Sequence, residues 1–232
     1  MSSCDLCAIR NRAICSALDA KEIETLNAIG RRQQLAAGEP LIWEGEDSVR
    51  VANVIEGTLK LSSGTRDGRE QIVGLVYPSD FIGRPFADTA NHEVTALTDA
   101  RVCVFNRRDF DAFTREHPAL EHKLLEHTLN DLDRTRRWML LLGRKSASEK
   151  IACLLLEMSE RLAFPNCKAG FEAAHQHLSL PFSRQQIADL LGLTIETVSR
   201  QFTRLKKEGV IDLPSRREVI ILDHARLLVE AG

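Results

Sequence analysis

Hydrophobic and polar positions alternate along this chain in different rhythms, and each rhythm predicts a different element. Residues 19–29 (DAKEIETLNAI) place Ile23, Leu26 and Ile29 at helical spacing behind Asp19, a residue type that caps helix N-termini. From about Arg31 to Asn106 the texture changes to short β-prone runs: PLIW, VANVI, LKLSS, QIVGLVY, EVTAL and RVCVF. They are punctuated by Gly38, Gly45, Gly57, Gly64, Gly68, Gly74 and Gly83. Such runs predict an all-β sandwich or barrel.

Helical spacing resumes at His117-Pro118, where proline suits the first helical position. Leu125, Thr128, Leu132, Thr135, Met139 and Leu142 then fall at alternating steps of three and four, a heptad seam. Leu124, Leu129, Trp138, Leu140 and Leu141 lie outside that stripe, so the helix is expected to be covered on more than one side. One side is assigned to the β domain and the other to a second copy, in a parallel homodimer. Asp131 and Asp133 flank the seam, where like charges oppose pairing. A further helix is predicted over Ser148–Leu162, and Ala163–His177, with Pro165 and Gly170, reads as a loop.

The sharpest pattern is SRQQIADLLGLTIETVSRQFTRL, residues 183–205. Ser183 followed by Gln186 forms a capping box, Gly192 supplies a turn, and Thr194 caps a second helix running to about Lys207. Ala188 is small where two helices cross, and Ile187, Leu191, Val198, Phe202 and Leu205 fill the buried faces. This is a helix-turn-helix, whose second helix enters the DNA major groove. The runs VIDL and EVIIL, either side of Pro214-Ser215-Arg216-Arg217, add a two-stranded wing. On the outward face Glu196, Ser199 and Arg200 are types that read base edges. Thr194, Thr197, Arg204, Lys206, Lys207 and Arg216 are placed for the DNA backbone, which positions without specifying sequence.

Charge agrees once it is read locally. The 232 residues carry a formal net charge of -2. Residues 144–232 hold 13 Lys and Arg against 11 Asp and Glu, and the remainder 18 against 22. A basic reading head therefore sits on an acidic partner region. No apolar run approaches the roughly 20 residues of a membrane span, and MSSCDLCAIR lacks the apolar core of a secretory signal. The expected compartment is a reducing cytoplasm, where cysteines are thiols or metal ligands.

Six cysteines are present, and Cys4, Cys7 and Cys15 form C-x2-C-x7-C. Three thiols so close suggest zinc or an iron–sulfur cluster, and spacing leaves the two open. The fourth ligand is sought among Cys103, Cys153, Cys167, His175 and His177. Cys153, in ACLLLE, reads as a small core residue, and Cys167 as an incidental loop thiol. Cys103 alternates with Val102 and Val104 and projects from one sheet face.

Four stretches identify the relatives: the N-terminal cysteines, the lone cysteine in RVCVF, WMLLLGRKSASEKIA, and LGLTIETVSRQFTRLKKEGVI. The chain resembles the CRP/FNR superfamily of bacterial transcription regulators over nearly its full length, and within it the FnrL-type, oxygen-sensing branch. The resemblance implies an α+β chain. Its parts are a cysteine-rich cluster-binding segment (1–18), an antiparallel β-roll or jelly roll like a cyclic-nucleotide-binding domain (19–116), a long dimerisation helix (117–143) and a C-terminal winged helix-turn-helix (144–232).

It also implies a [4Fe-4S] cluster on Cys4, Cys7, Cys15 and Cys103, and an inverted repeat of TTGAT-type half-sites read through Glu196, Ser199 and Arg200. Double-stranded DNA, a second copy and RNA polymerase are the implied partners. The x7 spacing is wider than in the best-known members and matches the FnrL-type branch. The seam position where relatives carry a controlling acid is here Thr135. Cyclic nucleotide binding is not expected, because Gly83-Arg84 and Val94-Thr95 stand where cyclic-AMP receptors carry Gly-Glu and Arg-Ser/Thr. The alternative function is a zinc-bound or ligand-independent, thiol-responsive regulator of the same fold. A cupin-like metalloenzyme is disfavoured, since closely spaced His and Glu ligands are missing, and no enzymatic activity is expected.

Overall fold

A computed structural model describes Cys4 and residues 7–64, 70–161 and 176–232. The chain divides into two compact units, Met1–Thr135 and Arg136–Gly232. Cys167 and His175 lie outside the described residues, as does most of the loop expected over 163–177.

The first unit is an antiparallel β-roll with helices on one outer face. The first helix, α1 (Ala20–Ile29), starts as its sequence dictates: Asp19 and Glu22 close a reciprocal capping box, with both bonds at 2.8 Å. Among the described residues eight strands follow: β1 (Gly30–Leu35), β2 (Pro40–Ile42), β3 (Arg50–Glu56), β4 (Leu59–Gly64), β5 (Glu70–Val76), β6 (Phe81–Ile82), β7 (Glu93–Ala96) and β8 (Ala100–Asn106). They form two four-stranded sheets, in the orders β1-β8-β3-β6 and β2-β7-β4-β5. Leu35, Ala52, Val54 and Val102 from the first sheet meet Leu41, Leu59, Val76, Val94 and Ala96 from the second in a closed apolar core.

β3 is buried along nearly its whole length, because its opposite face is covered as well. There Val51 and Phe105 pack against Ile14, Leu18, Ile23 and Leu26, and against Phe110 and Phe113 of α2 (Arg107–Glu116). α2 falls where only the end of the β region was expected. Its Asn106 cap accepts the Arg108 N–H at 2.9 Å. β1 and β6 are also additions to the strand runs read from sequence.

The long helix, α3 (Pro118–Arg144), begins at the expected proline. Leu120 is buried and Leu124 half-buried on the helical side of the roll. Arg134 reaches Asp80 at 3.3 Å and Asp131 at 3.0 Å. Asp131 is therefore partly offset by a cation of its own helix, shared with Asp80, which weakens the seam repulsion expected of it.

In the second unit, α4 (Ala147–Arg161), α5 (Arg184–Leu191), α6 (Ile195–Lys207) and α7 (His224–Ala231) surround a small sheet. That sheet has three strands where two were expected. β9 (Gln176–Ser179) joins β10 (Ile211–Asp212) and β11 (Glu218–Ile221) in the order β10-β11-β9. His177 thus lies within a strand, paired with Ile220, instead of ending a loop. Among the described residues no helix is long and apolar enough to cross a membrane.

Candidate functional site

The helix-turn-helix is built from local signals that agree with one another. The Ser183 hydroxyl accepts the Gln186 N–H at 3.2 Å, and the Gln186 side chain accepts the Ser183 N–H at 2.8 Å. Gly192 closes α5 in the left-handed region, at φ 62° and ψ 43°, which a residue with a Cβ adopts only at a cost. Nothing lies within 4 Å of where that Cβ would stand, so backbone conformation alone demands the glycine. Thr194 then accepts the Thr197 N–H at 3.2 Å and starts α6. Ile187, Ala188, Leu191, Val198, Phe202 and Leu205 are all buried at the crossing.

Two contacts in this unit had no sequence signal. Lys150, buried on α4, donates from Nζ to the Leu191 carbonyl at 3.2 Å, satisfying an orphan acceptor at the end of α5. The Arg184 guanidinium lies over the Phe202 ring at 3.3 Å and locks the start of α5 to α6. Burial holds that guanidinium down to about 10.

Burial on one side of α6 leaves Glu196, Ser199, Arg200, Lys206 and Lys207 on its exposed surface, with Thr197 half-buried. Ser199, Arg200, Thr203 and Lys207 border a shared hollow on that surface. The Glu196 carboxyl is held below its usual range by its own backbone N–H, by Thr194 and by the Arg200 charge, and so stays an acceptor. Arg216 is exposed between β10 and β11, and Thr194 is exposed at the N-terminus of α6.

Arg204 departs from the phosphate-facing position expected of it. Its guanidinium meets Glu208 at 3.0 Å and Glu230 of α7 at 2.6 Å, and donates to the Ser148 hydroxyl of α4. It ties three helices together and is half-buried, so its donors are committed inside the unit. Lys206 is drawn to Asp212 at 2.9 Å, leaving Lys207 as the less encumbered of the two lysines.

The second constellation lies on the helical side of the roll. Cys15 rides on a short 3-10 helix, Ile14–Ala17, which follows a run of turns that includes the bonds Cys7 N–H to Cys4 O and Arg10 N–H to Cys7 O. Cys103 is on β8, and strand periodicity points it away from the core that Val102 fills. Cys4, Cys15 and Cys103 pack against one apolar cluster, while Cys7 and Cys103 pack against Ile9, Ala13 and Ile55. All four are half-buried thiols outside any disulfide, and the Cys4 thiol donates to Asn27 Oδ1 at 3.3 Å. Cys153 belongs to the second unit, where Lys145 Nζ donates to its sulfur at 3.3 Å. It is half-buried, not the core residue expected.

The four thiols feel one another. Burial, then the neighbouring Cys4 and Cys7, pushes Cys15 up to about 11. Burial, then Cys15, Cys4 and Cys7, pushes Cys103 up to about 12. Both are neutral at pH 7 unless a cation takes the sulfurs as thiolates. Among the described residues no three Cys, His, Asp or Glu side chains already stand in position to grip a single metal ion. Folded values above the ordinary thiol value of 9.0 mean that stability from these thiols is full below pH 9 and is lost as pH rises towards 11 and 12. The metal-free protein should keep its urea midpoint from pH 7 to 9 and lose stability above that. A Cys15→Ser, Cys103→Val double variant should show a visibly smaller alkaline loss. Equal losses would show that other groups control this limb.

Along α3, apolar side chains stay uncovered. Leu125, Leu129, Met139 and Leu140 are each more than half exposed, and Leu132 and Leu142 are also exposed. Thr128 and Thr135 turn their hydroxyls back to the Leu124 and Asp131 carbonyls, at 2.9 and 2.8 Å, and so present methyl groups without an unmet donor. So large an apolar strip on a single chain marks a surface made for contact.

Comparison with known proteins places both halves. Residues 149–229 match the family model of a Crp-like helix-turn-helix domain, and residues 32–117 that of a cyclic nucleotide-binding domain. The transcriptional activator protein FnrL of Cereibacter sphaeroides is 46% identical over 99% of this chain and 92% of its own length. The nitrogen fixation regulation protein FixK of Bradyrhizobium diazoefficiens is 40% identical over 97% of this chain and 92% of its own. Among solved structures, FixK2 from Bradyrhizobium japonicum superposes with a TM-score of 0.79 at 29% identity, covering 88% of this chain and 98% of that one.

Proposed function

The chain belongs to the CRP/FNR family of DNA-binding transcription regulators, on its FNR and FixK side, and from that premise we propose that it is an oxygen-responsive activator. In this reading it binds DNA as a homodimer, on inverted repeats of TTGAT-type half-sites, while a [4Fe-4S] cluster is held by Cys4, Cys7, Cys15 and Cys103. The observation that carries it is the meeting of four cysteine thiols on one face of the roll. Four thiolates around one zinc stand about 3.8 Å apart, given Zn–S bonds of about 2.3 Å. A [4Fe-4S] group instead takes its four thiolates on separate irons, so they need not converge on one ion.

When bound, such a cluster supplies an oxygen-reactive cross-link among the four sulfurs. The chain's own residues give that link its leverage. Ile9, Ala13 and Ile14 are buried beneath the cysteine turns, so the segment is already seated on the sheet next to α1 and α2. The exposed strip on α3 supplies the dimer contact. Glu196, Ser199 and Arg200 read bases, and Lys206, Lys207, Arg216, Thr194 and Thr197 hold the backbone. RNA polymerase is the partner at promoters, and the cytoplasm is the place of action.

No role is assigned to a cyclic nucleotide. Val94 and Thr95 are buried on β7, and by the resemblance they and Gly83-Arg84 stand where cyclic-AMP receptors carry Arg-Ser/Thr and Gly-Glu. Anaerobic purification with absorption spectroscopy and iron and sulfide analysis tests the reading. Iron and sulfide near four of each per chain, with DNA affinity that falls in air, is the expected result. A colourless, zinc-containing dimer that binds DNA equally in air would overturn it.

A further inference from the structure

The site has a fifth member that no cysteine motif contains. Asn53 lies on β3, 1% exposed, in register opposite Cys103 of β8. Ala52 and Val54 face the inter-sheet core, so Asn53 shares the other face with Val51 and Ile55. Its Nδ2 stands 3.8 Å from Cys15 Sγ. Its Oδ1 is buried with no hydrogen-bond partner among the described residues.

Packing gives no reason for an amide here. The flanking outward residues are aliphatic, and a buried carbonyl left unpaired weakens the fold. A neutral thiol is a poor acceptor, so the metal-free protein gains little from the N–H directed at Cys15. A thiolate is a charged acceptor, and the same N–H then makes a charge-assisted bond. Donors to ligating sulfurs orient the ligand and raise the reduction potential of an iron–sulfur centre.

We infer that Asn53 is a positioning residue for the thiolate site: its amide N–H donates to the Cys15 sulfur, beside Cys103, and stabilises the ligated, reduced state against air. This rests on the cluster reading above. Asn53 would set how readily the switch responds, leaving the ligand set unchanged.

The test uses full-length protein prepared without oxygen, comparing wild type with Asn53→Leu, which lacks any donor, and Asn53→Asp, which keeps the shape but adds a negative charge. Iron and sulfide per chain, the rate of absorbance loss in air-saturated buffer, the midpoint potential and the melting temperature of the metal-free form are measured. Asn53→Leu should load iron and sulfide but lose its colour about tenfold faster. Its potential should fall by about 60 mV, a tenfold change for one electron, while the metal-free form melts no lower than wild type. Asn53→Asp should retain the least iron. Loss rates within twofold of wild type, or a metal-free Asn53→Leu form destabilised in step with its cluster, would overturn the inference. Wild type without iron and sulfide would instead sink the cluster reading itself, before any variant is compared.

Discussion

Leu132→Glu should leave the single chain folded and raise the dimer dissociation constant by roughly 10²–10⁴-fold. Leu132 is exposed on α3, so a glutamate there removes no internal contact. Across a two-fold seam the change occurs twice. Each buried leucine is worth about 1.5–3 kcal/mol, and each 1.4 kcal/mol is a factor of ten. Facing carboxylates add repulsion, alongside Asp133 of the same helix. Sedimentation should show monomer at concentrations where wild type is dimeric. Affinity for a two-half-site duplex should fall with it, while affinity for one half-site is unchanged. A variant that sediments as a dimer would place the contact elsewhere.

Arg200→Ala should relax discrimination at the guanine of the half-site by about 1–3 kcal/mol, with a smaller loss on unrelated DNA. Lys207→Ala should weaken every sequence alike and lower the salt slope by about one. The contrast follows from placement on α6. Arg200 is exposed one turn into the helix near the Glu196 carboxylate, whereas Lys207 is exposed in its last turn. Lys207 is the better probe of phosphate contact because Lys206 is partly spent on Asp212. Arg204→Ala belongs to a different class. It breaks contacts to Glu208, Glu230 and Ser148, so its first effect should be on folding of the unit. If Arg200→Ala and Lys207→Ala both gave the same sequence-independent loss, the division of roles along α6 would be wrong.

What could be read from sequence was what neighbours in sequence decide. The N-cap at Asp19, the capping box at Ser183, the turn at Gly192 and the proline opening α3 are local devices, and each stands where its residues put it. β1 went unread because GRRQQL is an edge strand pairing only with β8, so only Leu35 is fully buried. α2 escaped for a related reason: its large apolar side chains are Phe110 and Phe113 among charges, although those two seat it on the roll. Arg204 looked free because Glu230 is 26 residues away in sequence. For the cysteines, spacing supplied three thiols, and resemblance to known regulators supplied the fourth. The structure brings Cys103 to the other three through strand direction, a tertiary fact that no spacing encodes.

The separation of those thiols along the chain has a consequence for synthesis. Cys15 and Cys103 are 88 residues apart, and Cys103 takes its place only when β8 pairs with β1 and β3. At translation rates of about 5–20 residues per second, the fourth sulfur emerges about 4–18 s after the third. A chain whose synthesis stops before β8 presents three thiols without the strand that joins β1 to β3 beneath them. The complete set of four sulfurs therefore exists only in a finished roll.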